Sequence, residues 1–208
     1  IMSLIDRVKN ILLTPKTEWN IIDNESATPQ SLLTGYVVPL ALIPAIAVFI
    51  GMGLMGTSVL GIKIGGNVTF GLAMAVSSFL NSILSFYIAS YVIDALAPSF
   101  GSEKNINKSA QLVAYASTAM YVAGVFQILP SLSFLGILGL YAVYLFYLGL
   151  PILKKTPQDK VIVYMIVGAI VIFVISIIVG FILNKIVYGI VGNPYAVDVS
   201  DMLKGIKI

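Results

Sequence analysis

Charged residues are absent from four long stretches of this chain. These stretches are Ser26–Ile62, Ile64–Ile93, Ser109–Leu153 and Val161–Asn184, and short charged segments separate them. A helix of about 20 apolar residues, rising about 1.5 Å per residue, crosses the roughly 30 Å hydrocarbon layer of a membrane. The pattern therefore predicts an all-α integral membrane protein whose charged segments lie at the two membrane surfaces.

The number of predicted helices follows from the lengths of these stretches. The first, second and fourth hold one span each, and the third holds two because Pro130 and the serines after it interrupt the apolar run. We predict five transmembrane helices, at about 35–56, 70–96, 109–129, 132–153 and 160–189. The third and fourth should form a tight antiparallel hairpin. The chain then divides into an N-terminal segment at 1–28, a five-helix domain at 29–192 and a short tail at 193–208.

Threonine is followed by proline at three places, each just before a predicted helix: Thr14, Thr28 and Thr156. Threonine is a good N-cap, and proline suits the first helical position because its missing N–H would be unpaired there. The segment "LKKTPQDK" (Leu153–Lys160) is therefore predicted to contain the end of the fourth helix, a turn and the capped start of the fifth.

The N-terminal segment at 1–28 is amphipathic. Leu4, Val8 and Ile11 recur at helical spacing, while Asp6 and Arg7 are assigned to the opposite, polar side. Such a segment either lies flat on the cytoplasmic leaflet or packs under the bundle as a cap, and the sequence leaves both open.

Basic residues are distributed unequally between alternate loops. With the N-terminus inside, eight of the twelve lie on the cytoplasmic side and four lie outside. Lys and Arg collect on the cytoplasmic side of membrane proteins. We therefore predict a multi-pass protein of the cell membrane, specifically a bacterial cytoplasmic membrane, with a cytoplasmic N-terminus and an external C-terminus.

Composition excludes several classes of function. The chain contains no histidine and no cysteine, so it lacks the commonest general base, the commonest metal ligand and any thiolate. No paired carboxylates occur within a predicted span. We predict that the protein is not an enzyme and needs no cofactor or metal. The basic residues are scattered rather than clustered, which excludes a nucleic-acid partner.

Three separated blocks resemble the Yip family of membrane proteins. They are "ALAPSFGSEKN" (Ala95–Asn105), "QLVAYASTAMYVAGVFQILP" (Gln111–Pro130) and "GLYAVYLFYLGLPILKKTPQDK" (Gly139–Lys160), and "LLTPKTEW" (Leu12–Trp19) resembles the start of the family. One departure is Ala119, where the family's pattern leads us to expect a proline. The resemblance implies five spans, a cytoplasmic N-terminus and a non-enzymatic role. Eukaryotic members are Golgi and endoplasmic-reticulum proteins that interact with Rab-type GTPases.

Asp94 is the first candidate for a functional site, because it is the one acidic residue within a predicted span. An ionisable group at such a position is costly and often functional. Asp94 shares a helix face with Tyr87 and Tyr91. It either makes a structural tie to a tyrosine or lysine, such as Lys104 or Lys108, or it serves a transport or proton role.

Further polar residues occur within the predicted spans. The candidates besides Asp94 and Tyr91 are Asn81 and Ser85 in the second helix, Gln127 in the third and Tyr144 in the fourth. Each either hydrogen-bonds between packed helices or lines a polar cavity.

Lysines at the predicted cytoplasmic surface form another group of candidates. Lys104, Lys108, Lys154, Lys155 and Lys160 can attract anionic lipid headgroups, at about 1 kcal/mol each. The alternative is that they act only as a topology signal.

Two functions fit this sequence. The leading hypothesis is a non-enzymatic, membrane-organising or adaptor protein whose partners are the lipid bilayer and either a second copy or another membrane protein. The alternative is a small transporter or channel for a lipid or small solute, using a polar cavity between the second, third and fourth helices. A water-filled cavity reaching Asp94 would favour transport, and a dry bundle would favour the adaptor.

Overall fold

A computed structural model describes residues 2–59 and 62–191 of the chain, so the tail at 193–208 lies outside the described residues. The fold is mainly helical. Its helices are α1 (Leu4–Leu13), α2 (Pro15–Asp23), α3 (Pro29–Leu32), α4 (Val38–Val48), α5 (Val68–Leu96), α6 (Ile106–Ala116), α7 (Thr118–Ala123), α8 (Tyr141–Leu153) and α9 (Val161–Val191). Shorter 3₁₀ turns follow α5 at Ala97–Phe100, follow α7 at Gly124–Ile128 and precede α9 at Gln158–Lys160.

Four segments of the described chain are long and apolar enough to cross a membrane. They are Pro29–Met55, Val68–Phe100, Ser131–Leu153 and Gln158–Val187. They correspond to the predicted first, second, fourth and fifth helices. The class of multi-pass helical membrane protein is confirmed, whereas a count of five spans is not.

The predicted third helix is interrupted at Ser117, which separates α6 from α7. Beside this break, the Thr118 hydroxyl donates to the Tyr115 carbonyl at 2.6 Å and bonds the Tyr36 hydroxyl at 2.7 Å. A hydroxyl that bonds back to the preceding turn bends a helix. The break therefore needs no proline at Ala119.

Two other spans depart from regular α-helix. Residues Pro130–Leu140, which precede α8, form a 3₁₀ helix instead of the predicted α-helix, and they pack against α7 as the expected hairpin. The first span contains π-helical turns at Leu33–Val37 and Phe49–Met55, on either side of α4. Such turns are uncommon and often lie near functional sites.

A short hairpin joins the first and second spans. Strands β1 (Thr57–Val59) and β2 (Ile62–Ile64) pair antiparallel, with Thr57 opposite Ile64. Gly65 and Gly66 follow with positive φ values of 81° and 72°, a conformation that favours glycine. This hairpin is a small addition to an otherwise helical fold, so the predicted all-α class holds.

The three Thr-Pro pairs behave differently. Thr28 caps α3 as predicted, because its side chain accepts from the Ser31 N–H and the Ser31 side chain accepts from the Thr28 N–H. Thr14 precedes α2 but makes no side-chain capping bond. Thr156 was predicted to cap the fifth helix, and this is wrong: its hydroxyl is buried and bonds Ser102 at 2.8 Å.

The N-terminal helices α1 and α2 pack against the bundle. Ile11, Trp19 and Ile22 are fully buried and belong to the same core as α6 and α8. Relative to exposure in water, burial of a large apolar side chain is worth about 1.5–3 kcal/mol. Of the two alternatives for this segment, the structure favours the packed cap.

Candidate functional site at the charged end of the bundle

We call the region where α5 ends, α6 begins, α8 ends and α9 begins the charged end of the bundle. α5 ends before Pro98, and Gly101, with a φ of 66°, reverses the chain. The loop that follows is tied to the end of α8, because the Glu103 N–H donates to the Lys154 carbonyl at 2.8 Å. These connections bring residues that are distant in sequence into one cluster.

A buried ion pair between Asp94 and Lys154 lies at the centre of this cluster. The Lys154 Nζ is 3.0 Å from the Asp94 Oδ1 and donates to the Asn105 carbonyl at 3.1 Å. The Ser109 hydroxyl donates to the same Asp94 oxygen at 3.1 Å. Helices α5, α6 and α8 are therefore joined through one carboxylate.

The environment of Lys154 is unusual for a lysine. Its side chain is fully buried, and this burial lowers the pKa of the ammonium while Asp94 beside it acts in the opposite direction. Removing one partner of a buried pair typically costs about 3–5 kcal/mol, because the other charge is left uncompensated. The pair therefore fixes the relative positions of the helices that carry it.

A second ion cluster attaches α2 to the bundle. The Asp23 carboxylate lies 2.7 Å from the Lys155 Nζ and 3.4 Å from the Lys108 Nζ. Partial burial raises the pKa of Asp23, but the hydrogen bonds and charges of the two lysines outweigh this and leave its pKa below the usual value. Asp23 thus stays ionised and holds the end of α2 beside α6 and α8.

A third cluster lies between α1 and α2. Arg7 bonds Glu18, with 2.5 Å between nitrogen and oxygen, and also bonds Glu25. Its guanidinium lies over the Tyr115 ring at 5.3 Å, which adds a cation–π attraction. Arg7 and Glu18 are both buried, so their charges satisfy each other inside the packed cap.

Aromatic side chains continue this contact into the bundle. Tyr115 makes edge-to-face contacts with Trp19 at 6.5 Å and with Tyr36 at 4.8 Å. Trp19 lies against Gly149, where an added Cβ would be 2.8 Å from the indole. Glycine at 149 is therefore required for the close approach of α2 to α8.

A cleft of about 240 Å³ opens between the end of α2 and the start of α6. It is lined by polar residues that include Glu25, Asn107 and Lys108. Gln111, also in its lining, donates to the Ile22 and Glu25 carbonyls at 3.3 and 3.1 Å. Asp94 is not part of this lining, so the cleft does not reach the buried ion pair.

The structure does not gather the other predicted polar residues around Asp94. Asn81, Tyr91, Gln127 and Tyr144 are exposed on the outside of the chain, and Ser85 is half-buried. Their side chains therefore do not converge on one cavity with Asp94. Their positions therefore do not indicate a polar path between the second, third and fourth predicted helices.

The five candidate lysines fall into distinct groups. Lys104 and Lys160 are exposed and available to a headgroup or a partner. Lys108 and Lys155 share Asp23, and Lys154 is buried against Asp94. The structure thus places Lys154 in the interior instead of on a lipid-facing surface.

Arg7 is buried, contrary to its predicted place on the polar side of α1. It lies three residues after Leu4 and four before Ile11. Residues at these spacings share a helix face. That spacing was the available signal, and two acidic residues in the next segment, Glu18 and Glu25, were the available partners.

This arrangement is suited to holding helices together and to presenting a shaped surface. Each charge described inside it already faces an opposite charge or a hydrogen-bond partner. Lys104 and Lys160 remain exposed in this region.

In the comparison with known protein families, a family model for the Yip1 domain matches residues 9–184. No curated protein and no solved structure matches the chain. The matched range runs from α1 through most of α9 and so includes the whole charged end.

Proposed function

The chain belongs to the Yip1-domain family, a non-enzymatic family of membrane proteins, and from this premise we propose that it has a membrane-organising or adaptor role. The match and the four apolar segments together make it a multi-pass membrane protein. The finer proposal is that its charged end is a docking face for another protein.

One observation carries this proposal: the cap formed by α1 and α2 is packed into the hydrophobic core of the bundle. Ile11 and Trp19 are fully buried, and Asp23 is paired to lysines of α6 and of the segment after α8. A pre-organised surface binds a partner with less loss of conformational entropy. The cap and the exposed residues beside it therefore suit recognition.

The transport alternative is weaker because its polar residues are either paired or dispersed. Asp94 is already satisfied by Lys154 and Ser109. Asn81 and Gln127 lie on the outside of the chain. A solute path needs such groups to face a shared cavity.

We also propose that the charged end is cytoplasmic and that 106–128 is a fifth crossing. This segment runs from Asn105, beside Lys154, to Gln127, whose carbonyl lies against Gly51 in the far part of the first span. It thus traverses the bundle despite its break at Ser117. Five crossings place the two chain ends on opposite sides, whereas four place them on the same side.

Single cysteines in this cysteine-free chain test the topology. We expect Ser3→Cys to react with an impermeant thiol reagent only after the cells are permeabilised. Ile208→Cys should react from outside intact cells. Labelling of both from the same side would contradict five crossings.

The exposed lysines of the charged end suit two kinds of contact, with anionic headgroups and with a protein. In a bacterial cytoplasmic membrane the two can coexist, since Lys104 and Lys160 are separate from the paired lysines. A protein partner is the contact that the adaptor role requires.

Site-specific photo-crosslinking tests the docking face. A photo-reactive residue at Lys104 or Lys160 should yield the same discrete protein adduct in native membranes. The control position is Met55, which is 51% exposed and ends the first span. Adducts with lipid only, or the same protein adduct from Met55, would contradict the adaptor proposal.

A further inference from the structure

The middle of α5 carries an amide side chain on its outer face. Asn81 is near the centre of this helix, which runs from Val68 to Leu96. At about 1.5 Å per residue it lies roughly 20 Å from either end, close to the middle of a membrane. Its side chain is exposed, so it faces the hydrocarbon layer unless another molecule covers it.

Asn81 is unpaired in the chain as described. Nothing within residues 2–59 and 62–191 forms a hydrogen bond to its side chain. An amide has two N–H donors and an acceptor oxygen. A polar group without a partner in hydrocarbon carries a free-energy cost. A hydrogen-bonding partner inside the membrane would remove that cost.

The residues around Asn81 permit another helix to approach closely. Ser77 and Ser85 lie four residues before and after it and are half-buried at the same face. Leu84, 39% exposed, borders this face. Small residues on either side of a polar one are typical of helix–helix contacts in membranes.

We infer that this face of α5 is the contact between two copies of the chain, with Asn81 pairing to Asn81 of the second copy. The amide is self-complementary, because its positively polarised N–H groups match the negatively polarised oxygen of an identical side chain. In a two-fold dimer the same residue meets itself across the axis. Both copies share one orientation in the membrane, so the axis runs along the membrane normal and the two α5 helices cross at their centres.

A second copy accounts for the observations better than a solute does. A solute site would need a cavity, whereas Asn81 lies on the outer face of α5, and of its neighbours there Ser77 and Ser85 are half-buried and Leu84 is apolar. Two parallel α5 helices can pair one N–H and the oxygen of each amide with the other amide. An unrelated protein would have to carry a hydrogen-bonding group at the same depth, whereas a second copy supplies one by symmetry.

Energy transfer between labelled copies measures this association. The full chain, labelled on Lys104→Cys, is reconstituted in liposomes at increasing lipid dilution. The wild-type protein should show energy transfer that falls with dilution. Asn81→Leu should raise the apparent dissociation constant about tenfold, which corresponds to about 1.4 kcal/mol and is typical of an interhelical amide contact. Asn81→Gln, which keeps an amide, should remain closer to the wild type.

Gln127→Leu is the matched control, since it also replaces an exposed amide with leucine. It should leave the dissociation constant unchanged, and neither leucine variant should lower the melting temperature of the diluted protein. Absence of energy transfer at every dilution would overturn the inference. So would equal effects of Asn81→Leu and Gln127→Leu, or an Asn81→Leu protein that associates like the wild type.

A cysteine pair locates the contact on α5. Leu84 and Leu72 are both exposed, at 39% and 55%, but Leu72 lies about 180° around the helix from Asn81 and Leu84 about 60°. Leu84→Cys should crosslink to a second copy in native membranes, and Leu72→Cys should not. If Leu84→Cys crosslinks to a different protein and forms no crosslinked dimer of this chain, the choice of a second copy is overturned.

Discussion

Asp94 is the residue whose surroundings best separate a structural role from a transport role. A transported ion or proton needs an accessible carboxylate, whereas Asp94 is 8% exposed and bonded to Lys154 and Ser109. The sequence indicates that Asp94 lies in a span and makes a structural tie to a tyrosine or to a lysine such as Lys104 or Lys108, or else has a transport role. It could not predict Lys154, because the pairing depends on how the ends of α5 and α8 meet.

Replacing one partner of this pair should destabilise the bundle. Asp94→Leu leaves the Lys154 ammonium buried without its carboxylate, and we expect a loss of about 3–5 kcal/mol. The double variant Asp94→Leu/Lys154→Met removes both charges and should recover most of that loss. Melting temperatures in detergent give the comparison. If the double variant is no more stable than Asp94→Leu, the loss in the single variant does not come from the unpaired Lys154 charge.

The contact between Trp19 and Gly149 gives a second residue-scale prediction. A Cβ at 149 would lie 2.7 Å from Leu112 and 2.8 Å from Trp19, so Gly149→Ala should displace the indole and cost about 1–3 kcal/mol. Trp19 is the one tryptophan in the chain, and its fluorescence should shift to longer wavelength. Gly136→Ala is the control, because nothing lies within 4 Å of its added Cβ. Identical spectra for the two variants would argue against the packed cap.

At the scale of elements, apolar length predicted the spans well and their internal geometry poorly. The helices α5 and α9 follow from long uncharged stretches, and the structure confirms them. The break at Ser117 depends on the contact between Thr118 and Tyr36, residues far apart in sequence. The 3₁₀ segment at Pro130–Leu140 likewise depends on packing against α7. Local patterns contain no information about such contacts.

The packing of α1 can be tested with two isoleucines on the same helix. Ile11 is fully buried and Ile5 is 77% exposed. Ile11→Ala should cost about 2–5 kcal/mol, the usual range for a large-to-small change in a core. Ile5→Ala should stay within about 0.5 kcal/mol, as surface changes do. Thermal unfolding of both variants in the same detergent compares the two losses of stability. A larger loss for Ile11→Ala indicates a packed helix, and equal losses would indicate a helix that only lies on lipid.

At the scale of the whole molecule, the charges and the apolar surfaces have separate roles. The ion pairs of Asp94 and Asp23 hold the charged end together, and that of Arg7 holds the cap of α1 and α2. The long helix α9 exposes apolar side chains along most of its length, such as Ile170 and Phe181, as expected where lipid surrounds a bundle. The molecule is therefore built to present one polar face at the end of an apolar body.

The central claim is that this body is a dry bundle with structural polar residues and not a conduit. Reaction of single cysteines with a small, water-soluble thiol reagent in native membranes tests it most directly. Cysteines at the exposed positions Lys104 and Lys160 should react quickly. Cysteines at Asn81 and Ser85, near the middle of α5, should remain unreacted because water does not reach them. Rapid reaction at Asn81 or Ser85 would reveal an aqueous path through the membrane and would contradict the account.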